Sequence, residues 1–268
     1  MQRRWILATL LSSFLLNSLP LQSQTIAATT NAKVALTQAL ARLSGGQAFT
    51  DVVINTTAKR VTGPTTEGVN VVLKGRGAAF GKVDYGVSSP EVRTETYASS
   101  AGIPACEWID VSGAAHLSPA QNCVVAIWWL PQLSPLAWIA DPDVIATYLG
   151  HENYLGSAVE HYTITKRFSS QSATSSAAAT RIALLATIDA YFDSGSGLPT
   201  VLAYPIHPDS DLATDLRIEV RFSNYTSIGG VLVPYRITRL VNGGVTLDIT
   251  VTSVMFNAGL SDNEFELH

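Results

Sequence analysis

The sequence has few charged residues and no cluster of basic ones. Of its 268 residues only 14% are charged, and the formal net charge is -4. Nucleic-acid binding requires a basic stripe or patch that faces the phosphates, and this chain has none. Because 47% of the residues are hydrophobic, the chain can bury enough apolar surface to offset the entropy lost on folding. The composition therefore excludes a nucleic-acid-binding protein and favours a folded one.

Motifs of common catalytic and phosphate-binding sites are also missing. Neither a His-Glu-x-x-His pair nor a Gly-x-Ser-x-Gly elbow occurs. Gly75-Arg76-Gly77 followed by Gly81-Lys82 lacks the spacing of a phosphate-binding loop, and we interpret it as a glycine-rich hairpin turn. We predict no catalytic residue, no metal and no cofactor.

The histidines offer one weaker candidate site. His151-Glu152 and Glu160-His161 could meet across a hairpin and form a metal or acid–base site, because neighbouring strands lie about 5 Å apart. Exposed polar positions at a turn and on a strand are the simpler interpretation. A hydrolase that uses His151 or His161 is accordingly the least favoured functional alternative.

One apolar run stands at the N-terminus. Met1-Gln2-Arg3-Arg4 precedes the apolar stretch Trp5–Leu16, and a polar region with Pro20 follows. This order is typical of a secretory signal peptide. The alternative is an uncleaved membrane anchor, which is less favoured because a membrane-spanning helix needs about 20 apolar residues and this run is shorter. We predict a signal peptide over residues 1–28 and export to the periplasm or the outside of the cell. With no cysteine near the cleavage zone, we expect a free, soluble product without a lipid anchor.

The sequence contains only two cysteines, Cys106 and Cys123. Neither has a histidine at metal-ligand spacing beside it, which disfavours a metal pair. Two cysteines in an exported protein favour a disulfide, and the 17-residue separation includes Gly113 and Pro119, which let the chain turn back. We predict a Cys106–Cys123 disulfide, with two free thiols as the alternative.

The remaining residues, 29–268, number about 240 and fit one large β domain. Asn31 can cap a helix whose apolar positions recur at three and four residues and which ends at Gly45-Gly46. Downstream the period changes to two, and short links between segments predict antiparallel pairing. The predicted strands lie near 50–58, 69–74, 81–87, 91–98, 105–111, 144–149, 158–168, 180–192, 198–205, 215–224, 231–241 and 245–256.

Two segments break the β pattern. Trp128–Ala140 is apolar and aromatic but is interrupted by Pro131 and Pro135, so we predict short helical turns that lie over the sheet. Residues 169–179 are rich in serine and alanine and predict a flexible loop between two strands.

The last third resembles exported bacterial proteins of the outer-membrane lipoprotein-sorting type, the LolA/LolB-like superfamily. Three motifs carry the resemblance: an Asp-x-x-Ser-Gly-x-Pro turn at Asp193–Pro199, a tyrosine followed by Gly-Gly and proline at Tyr225–Pro234, and a closing segment at Asn257–Phe265. The resemblance implies a mainly β (α+β) fold: a strongly curved antiparallel sheet, or open half-barrel, wrapped around a leading helix and short helical segments. It also implies an apolar cavity that holds acyl chains.

We therefore hypothesise a non-catalytic carrier or sensor of an apolar ligand, a lipid or a lipid-modified chain. We expect a monomer, and peripheral contact with an outer membrane fits the resemblance. The predicted cavity wall combines aromatic residues of the proline-broken segment with the apolar faces of two late strands: Trp128, Trp129, Trp138, Val220, Phe222, Val233, Tyr235 and Ile237. The main alternative is a secreted β-sandwich that binds another protein and whose aromatic residues are all core.

The leader generates a testable prediction. When the full chain is expressed in a bacterium with a general secretory pathway, the exported product should begin between Ser23 and Ala28, because the small residues there follow the apolar run. N-terminal sequencing of the protein released from the periplasm measures this. A product that still begins at Met1 would contradict cleavage.

Overall fold

The computed structural model describes residues 21–86, 92–100, 103–119, 122–123, 125, 127–167, 187–208, 211 and 213–268. Its one α-helix in this part of the chain, α1, spans Leu21–Ser44. The strands are β1 Asp51–Thr62, β2 Thr65–Arg76, β3 Phe80–Tyr85, β4 Val92–Ser100, β5 Ile103–Asp110, β6 Ala115–Leu117, β7 Val144–Tyr154, β8 Ser157–Lys166, β9 Ile188–Asp193, β10 Pro199–Ile206, β11 Leu216–Ile228, β12 Val231–Val241 and β13 Gly244–Phe256. Single 3-10 turns occur at Pro135–Trp138 and Asp262–Phe265.

The thirteen strands form one antiparallel sheet in the order β6-β5-β4-β3-β2-β1-β13-β12-β11-β10-β9-β8-β7. Strands β1–β6 are one meander and β7–β13 are a second, and the pairing of β1 with β13 joins the two. The edge strands β6 and β7 do not pair with each other within the described residues, so the sheet stays open. The predicted open, curved half-barrel is confirmed, and the alternative of a two-sheet sandwich is wrong.

Strand alternation gives the sheet one apolar face, which we call the inner face. Helix α1 packs there against β7 and β12, with Leu36 and Leu43 buried in the core. The helix ends as predicted, because Gly45 and Gly46 adopt positive φ angles of 56° and 74° that suit glycine. Gly45 also lies so close to the turn of the β11–β12 hairpin that a Cβ would come within 2.0 Å of the Gly230 carbonyl oxygen.

The connection between the two edge strands crosses the inner face. Its central part, residues 127–139, is called the cover segment below, and every one of its residues is buried or half-buried. Pro131 and Pro135 prevent a regular helix or strand, and the 3-10 turn at Pro135–Trp138 is capped by the Ser134 hydroxyl, which accepts from the Leu136 amide. Short helical turns over the sheet are thus confirmed.

Two strand glycines allow the cover segment to approach the sheet. A Cβ on Gly75 of β2 would lie 2.6 Å from Leu133 Cδ1 and 2.9 Å from Trp129 Cη2, and one on Gly81 of β3 would lie 2.7 Å from Ile127 Cγ1. The predicted glycine-rich hairpin is present between β2 and β3, and its glycines have two different roles. Gly77 turns the chain with a φ of 52°, whereas Gly75 and Gly81 make room for the side chains above them.

The predicted disulfide is present. Cys106 of β5 and Cys123 are bonded, with Cα atoms 5.5 Å apart. The bond ties the sheet near one edge to the chain that leads into the cover segment. Neither free thiols nor a metal pair is found at these positions.

Other differences from the predicted elements are local. Helix α1 spans Leu21–Ser44, so Asn31 lies inside it and does not cap it. Strand β6 was not predicted, since three residues are too few for a periodic signal, and β7 continues five residues beyond 149, to Tyr154. Residues 1–20 of the predicted signal peptide, the predicted loop at 169–179 and the first part of the strand predicted at 180–192 lie outside the described residues. Within the described residues, no helix is both long and apolar enough to cross a membrane.

The glycine contacts generate a matched pair of variants. Gly75→Ala should lower the free energy of unfolding by about 1–3 kcal/mol, because the new methyl group overpacks against Leu133 and Trp129. Gly68→Ala in the same strand should be neutral or slightly stabilising, since nothing lies within 4 Å of its added Cβ. Urea unfolding of both variants measures the difference; equal effects would contradict the close packing of the cover segment on β2.

Candidate functional site

A cavity of about 450 Å³ lies on the inner face. Strands β3–β5 form one wall and β10–β13 the other, and Ser118, Asn122, Val125, Trp128 and Trp129 of the connection close it. The lining is largely apolar and aromatic, with a few polar and charged groups. Its residues are Gly81, Lys82, Val83, Glu95, Thr96, Tyr97, Cys106, Glu107, Trp108, Ser118, Asn122, Val125, Trp128, Trp129, Tyr204, Ile206, Ile218, Arg239, Val241 and Thr246.

An ion pair crosses the cavity between its two walls. Arg239 Nη1 of β12 lies 3.3 and 3.2 Å from the two carboxylate oxygens of Glu95 on β4. Tyr85 donates its hydroxyl to Glu95 at 2.8 Å and accepts from Arg239 Nη2 at 3.4 Å. The guanidinium carbon also lies 4.9 Å from the ring centroid of Trp128, in cation–π contact. The pair therefore links β12, β4, β3 and the cover segment.

The protonation states at this pair follow from burial and charge. Burial alone would lower the pKa of Arg239, but the nearby Glu95 carboxylate raises it above its ordinary value, and Arg239 is charged. Burial raises the pKa of Tyr85 and of Tyr204, so both phenols are neutral at physiological pH. The site holds one cation, one anion and two neutral hydroxyl groups.

The predicted wall residues occupy different places. Trp128 and Trp129 line the cavity. Val220, Phe222, Val233 and Ile237 are buried in the core of the inner face and do not border this cavity. Trp138 and Tyr235 are half-buried against the same core. Lys166 Nζ lies 4.9 Å from the ring centroid of Trp138, in cation–π contact.

Sequence reasoning missed Arg239 and Glu95. A signal for Arg239 exists, because it continues the alternation of Val233, Tyr235 and Ile237 and so falls on the apolar face of β12. A charged residue at such a position needs a buried partner. Glu95 gives no comparable signal, since β4 around it lacks regular alternation.

The histidine candidates form two pairs on opposite faces and not one site. His151 Nδ1 lies 2.9 Å from Glu160 on the inner face, whereas His161 lies between Glu152 and Asp189 at 3.0 and 3.1 Å on the outer face. Adjacent positions of a strand point to opposite sides, which separates Glu160 from His161. In the described residues no group of three or more potential ligands could hold a metal.

Ser194 beside His151 does not complete a catalytic triad. Its hydroxyl lies 3.1 Å from His151 Nδ1 and 2.9 Å from Glu160 Oε1, so serine and carboxylate both approach the same ring nitrogen. A triad needs them on opposite nitrogens. The Tyr148 hydroxyl, His151 and Ser194 together lower the pKa of Glu160, which holds it as an accepting carboxylate beside a second pocket of about 290 Å³.

The motifs behind the resemblance are structural elements. Asp193 accepts hydrogen bonds from the amide and hydroxyl of Ser196, and the buried Tyr225 hydroxyl donates to the Pro199 carbonyl at 2.7 Å. Phe265 is buried and its ring centroid lies 5.5 Å from that of Phe80, on the outer face of β3. The motifs thus determine turns and strand packing, not the cavity lining.

Solved structures share this fold over most of their length. A domain named for outer membrane lipoprotein sorting from Vibrio parahaemolyticus and a DUF1329 family protein from Desulfovibrio piger each align with a TM-score of 0.58 at 11% identity, covering 89% of this chain and 97% of theirs. A LolA superfamily protein from Nitrosomonas europaea aligns with a TM-score of 0.54 at 11% identity, covering 88% and 97%. The chain matches no protein-family model and no curated protein sequence. The resemblance predicted from the turn motifs is confirmed at the level of the fold.

The ion pair in the cavity generates a stability prediction. Glu95→Ala should lower the free energy of unfolding by about 3 kcal/mol, because it leaves the charge of Arg239 without its partner. This value is the low end of the range for a broken buried pair, since the pair borders a cavity. Asp248→Ala breaks the more exposed pair with Arg236 and should change stability by less than about 1 kcal/mol. Chemical unfolding of both variants provides the comparison; equal losses would show that the Arg239–Glu95 pair is solvated like a surface pair.

Proposed function

We propose that this protein is an exported, non-catalytic binding protein that carries or senses an apolar ligand, a lipid or a lipid-modified chain, in the periplasm or outside the cell. The observation that carries the proposal is the cavity of about 450 Å³ on the inner face. Its volume falls within the range of ligand pockets, roughly 300–1,000 Å³. Protein interiors are otherwise close-packed, with few voids larger than a water molecule.

The chemistry of the walls favours an apolar ligand. Tryptophan, tyrosine and aliphatic side chains dominate the lining, and each methylene group transferred from water to such walls stabilises the complex by about 0.8 kcal/mol. Of the aromatic residues predicted for the site, Trp128 is the one that we assign to ligand contact. Trp129 also borders the cavity but is fully buried, so it and the other six predicted residues would support the wall from the core behind it.

Two further observations are consistent with this function. The similar structures from Vibrio parahaemolyticus and Nitrosomonas europaea are named for lipoprotein sorting and for the LolA superfamily, and the shared open half-barrel gives this chain the same type of inner face. The N-terminal sequence, with its basic start and apolar run, favours export. The hydrolase alternative gains no support from the geometry of His151 and His161.

Native mass spectrometry of the mature protein tests the proposal. Protein purified from a bacterial periplasm without detergent should carry adducts of lipid mass, and organic extraction should release them, because an apolar cavity of this size retains an apolar ligand. An apo mass, together with no response of tryptophan fluorescence to added methyl dodecanoate or dodecanoate, would contradict the proposal.

A matched pair of variants locates the binding. Val241→Phe places a larger side chain on the cavity wall. It should weaken the binding of methyl dodecanoate or dodecanoate, whichever changes the tryptophan fluorescence of the wild type, at least about tenfold, because less room remains for the ligand. Val245 is exposed and does not border the cavity, so the Val245→Phe variant should bind as the wild type does. Equal binding by both variants would place the ligand elsewhere on the protein.

A further inference from the structure

The Arg239–Glu95 pair is accessible from the cavity. The side chains of Arg239 and Glu95 keep 23% and 32% of their surface accessible, although they lie beneath the cover segment and Trp128, which is only 3% exposed. This accessible surface belongs to groups that border the cavity. A bound ligand would therefore meet the pair directly.

The guanidinium group of Arg239 has unused hydrogen-bonding capacity. It carries five N–H donors, and its hydrogen bonds to described residues are two from Nη1 to Glu95 and one from Nη2 to Tyr85, at 3.2–3.4 Å. At least two N–H donors therefore have no protein acceptor among the residues described. An apolar cavity with such donors can accept a ligand that brings its own hydrogen-bond acceptor.

The charge of the cavity argues that this acceptor is uncharged. The charged side chains that face the cavity are one cation, Arg239, and one anion, Glu95, which neutralise each other. Lys82 and Glu107 border the cavity from strand positions whose side chains point to the outer face, where they pair with Asp84 and His268. A ligand carboxylate would compete with Glu95 for the same cation and leave an excess negative charge in a poorly solvated site, which is unfavourable. A carbonyl oxygen adds no charge.

We propose that the Arg239–Glu95 pair makes the cavity selective for apolar ligands that carry an uncharged hydrogen-bond acceptor, an ester or amide carbonyl, over ligands with a free carboxylate. This selectivity rests on the proposed function, since it requires that the cavity binds an apolar ligand. The carbonyl lies against the unused donors of Arg239, and the chain extends along Trp128, Tyr97 and Ile218. Glu95 excludes a second carboxylate.

Two probes of equal chain length test the selectivity. Methyl dodecanoate and dodecanoate, titrated at pH 8 into the intact protein, differ in the charge of one group. Tryptophan fluorescence reports binding, because Trp108, Trp128 and Trp129 line the cavity. The ester should bind at least about tenfold more tightly than the acid, because the carboxylate of dodecanoate would be buried without an unpaired cation beside it.

Two variants separate recognition by the pair from simple exclusion of charge by an apolar cavity. Glu95→Gln removes the internal anion and keeps the acceptor for Tyr85. The affinity for dodecanoate should therefore rise at least about tenfold and exceed the affinity for the ester.

The double variant Glu95→Gln and Arg239→Gln removes both charges and leaves two amides. The affinity for the ester should fall about tenfold, because a hydrogen bond from a charged donor is lost. The double variant leaves no uncompensated charge and tests the proposal even where Glu95→Gln alone does not fold. Asp248→Asn, in the exposed pair with Arg236, is the control and should keep the wild-type ratio.

The outcomes distinguish the selectivity from the function beneath it. If neither probe binds the wild type, the carrier function itself fails. If both bind with equal affinity, or if the acid binds more tightly, ligands bind but the proposed selectivity is overturned. If the double variant binds the ester as tightly as the wild type does, Arg239 does not contact the ligand and the selectivity is again overturned.

Discussion

The structure depends on one topological constraint: the chain must cross the inner face of the sheet to reach the opposite edge. Strands β1–β6 lead outward from the centre to one edge, and β7 begins the second meander at the other edge. Twelve steps of about 4.8 Å separate these edges along a thirteen-stranded sheet, so the connection after Leu117 cannot be a turn. It passes over the apolar face, and its side chains must be apolar to be buried there.

The sequence of the cover segment satisfies this constraint. Prolines prevent a long helix, and two polar side chains are hydrogen-bonded to the backbone: Gln132 donates from Nε2 to the carbonyls of Leu232 and Leu43, and Ser134 donates to the carbonyl of Pro131. Gln132 thereby joins the end of α1 to β12 beneath the cover segment. Over Gly75 and Gly81 the packing is tight. Beyond these two glycines, between β3–β5 and β10–β13, the connection does not fill the space above the sheet. The cavity therefore begins where the cover segment no longer contacts the sheet.

The fold was largely predictable from local patterns, and the site was not. Alternation in β11, β12 and β13 and turns such as Asn242-Gly243, with φ angles of 47° and 79°, are encoded within a few residues. The disulfide followed from cysteine number and from a compartment inferred at the N-terminus. By contrast, Arg239 and Glu95 are 144 residues apart, and only the sheet order brings them together. The apolar residues Val220, Phe222, Val233 and Ile237 are buried in the core, and sequence periodicity cannot separate a residue that lines a cavity from one that packs behind it.

A cavity removes packing contacts from the part of the sheet that surrounds it, and several cross-links lie in the same part of the structure. The disulfide joins Cys106, itself a cavity residue, to Cys123. On the outer face the C-terminal segment covers the same strands, where Phe265 packs on Phe80 and Glu264 pairs with Lys74 at 3.0 Å. The Arg239–Glu95 pair spans the cavity from inside. Desolvated charges are a poor source of stability in a packed core, but this pair joins the two walls directly, and under the proposed function it also presents the donors that a ligand would meet.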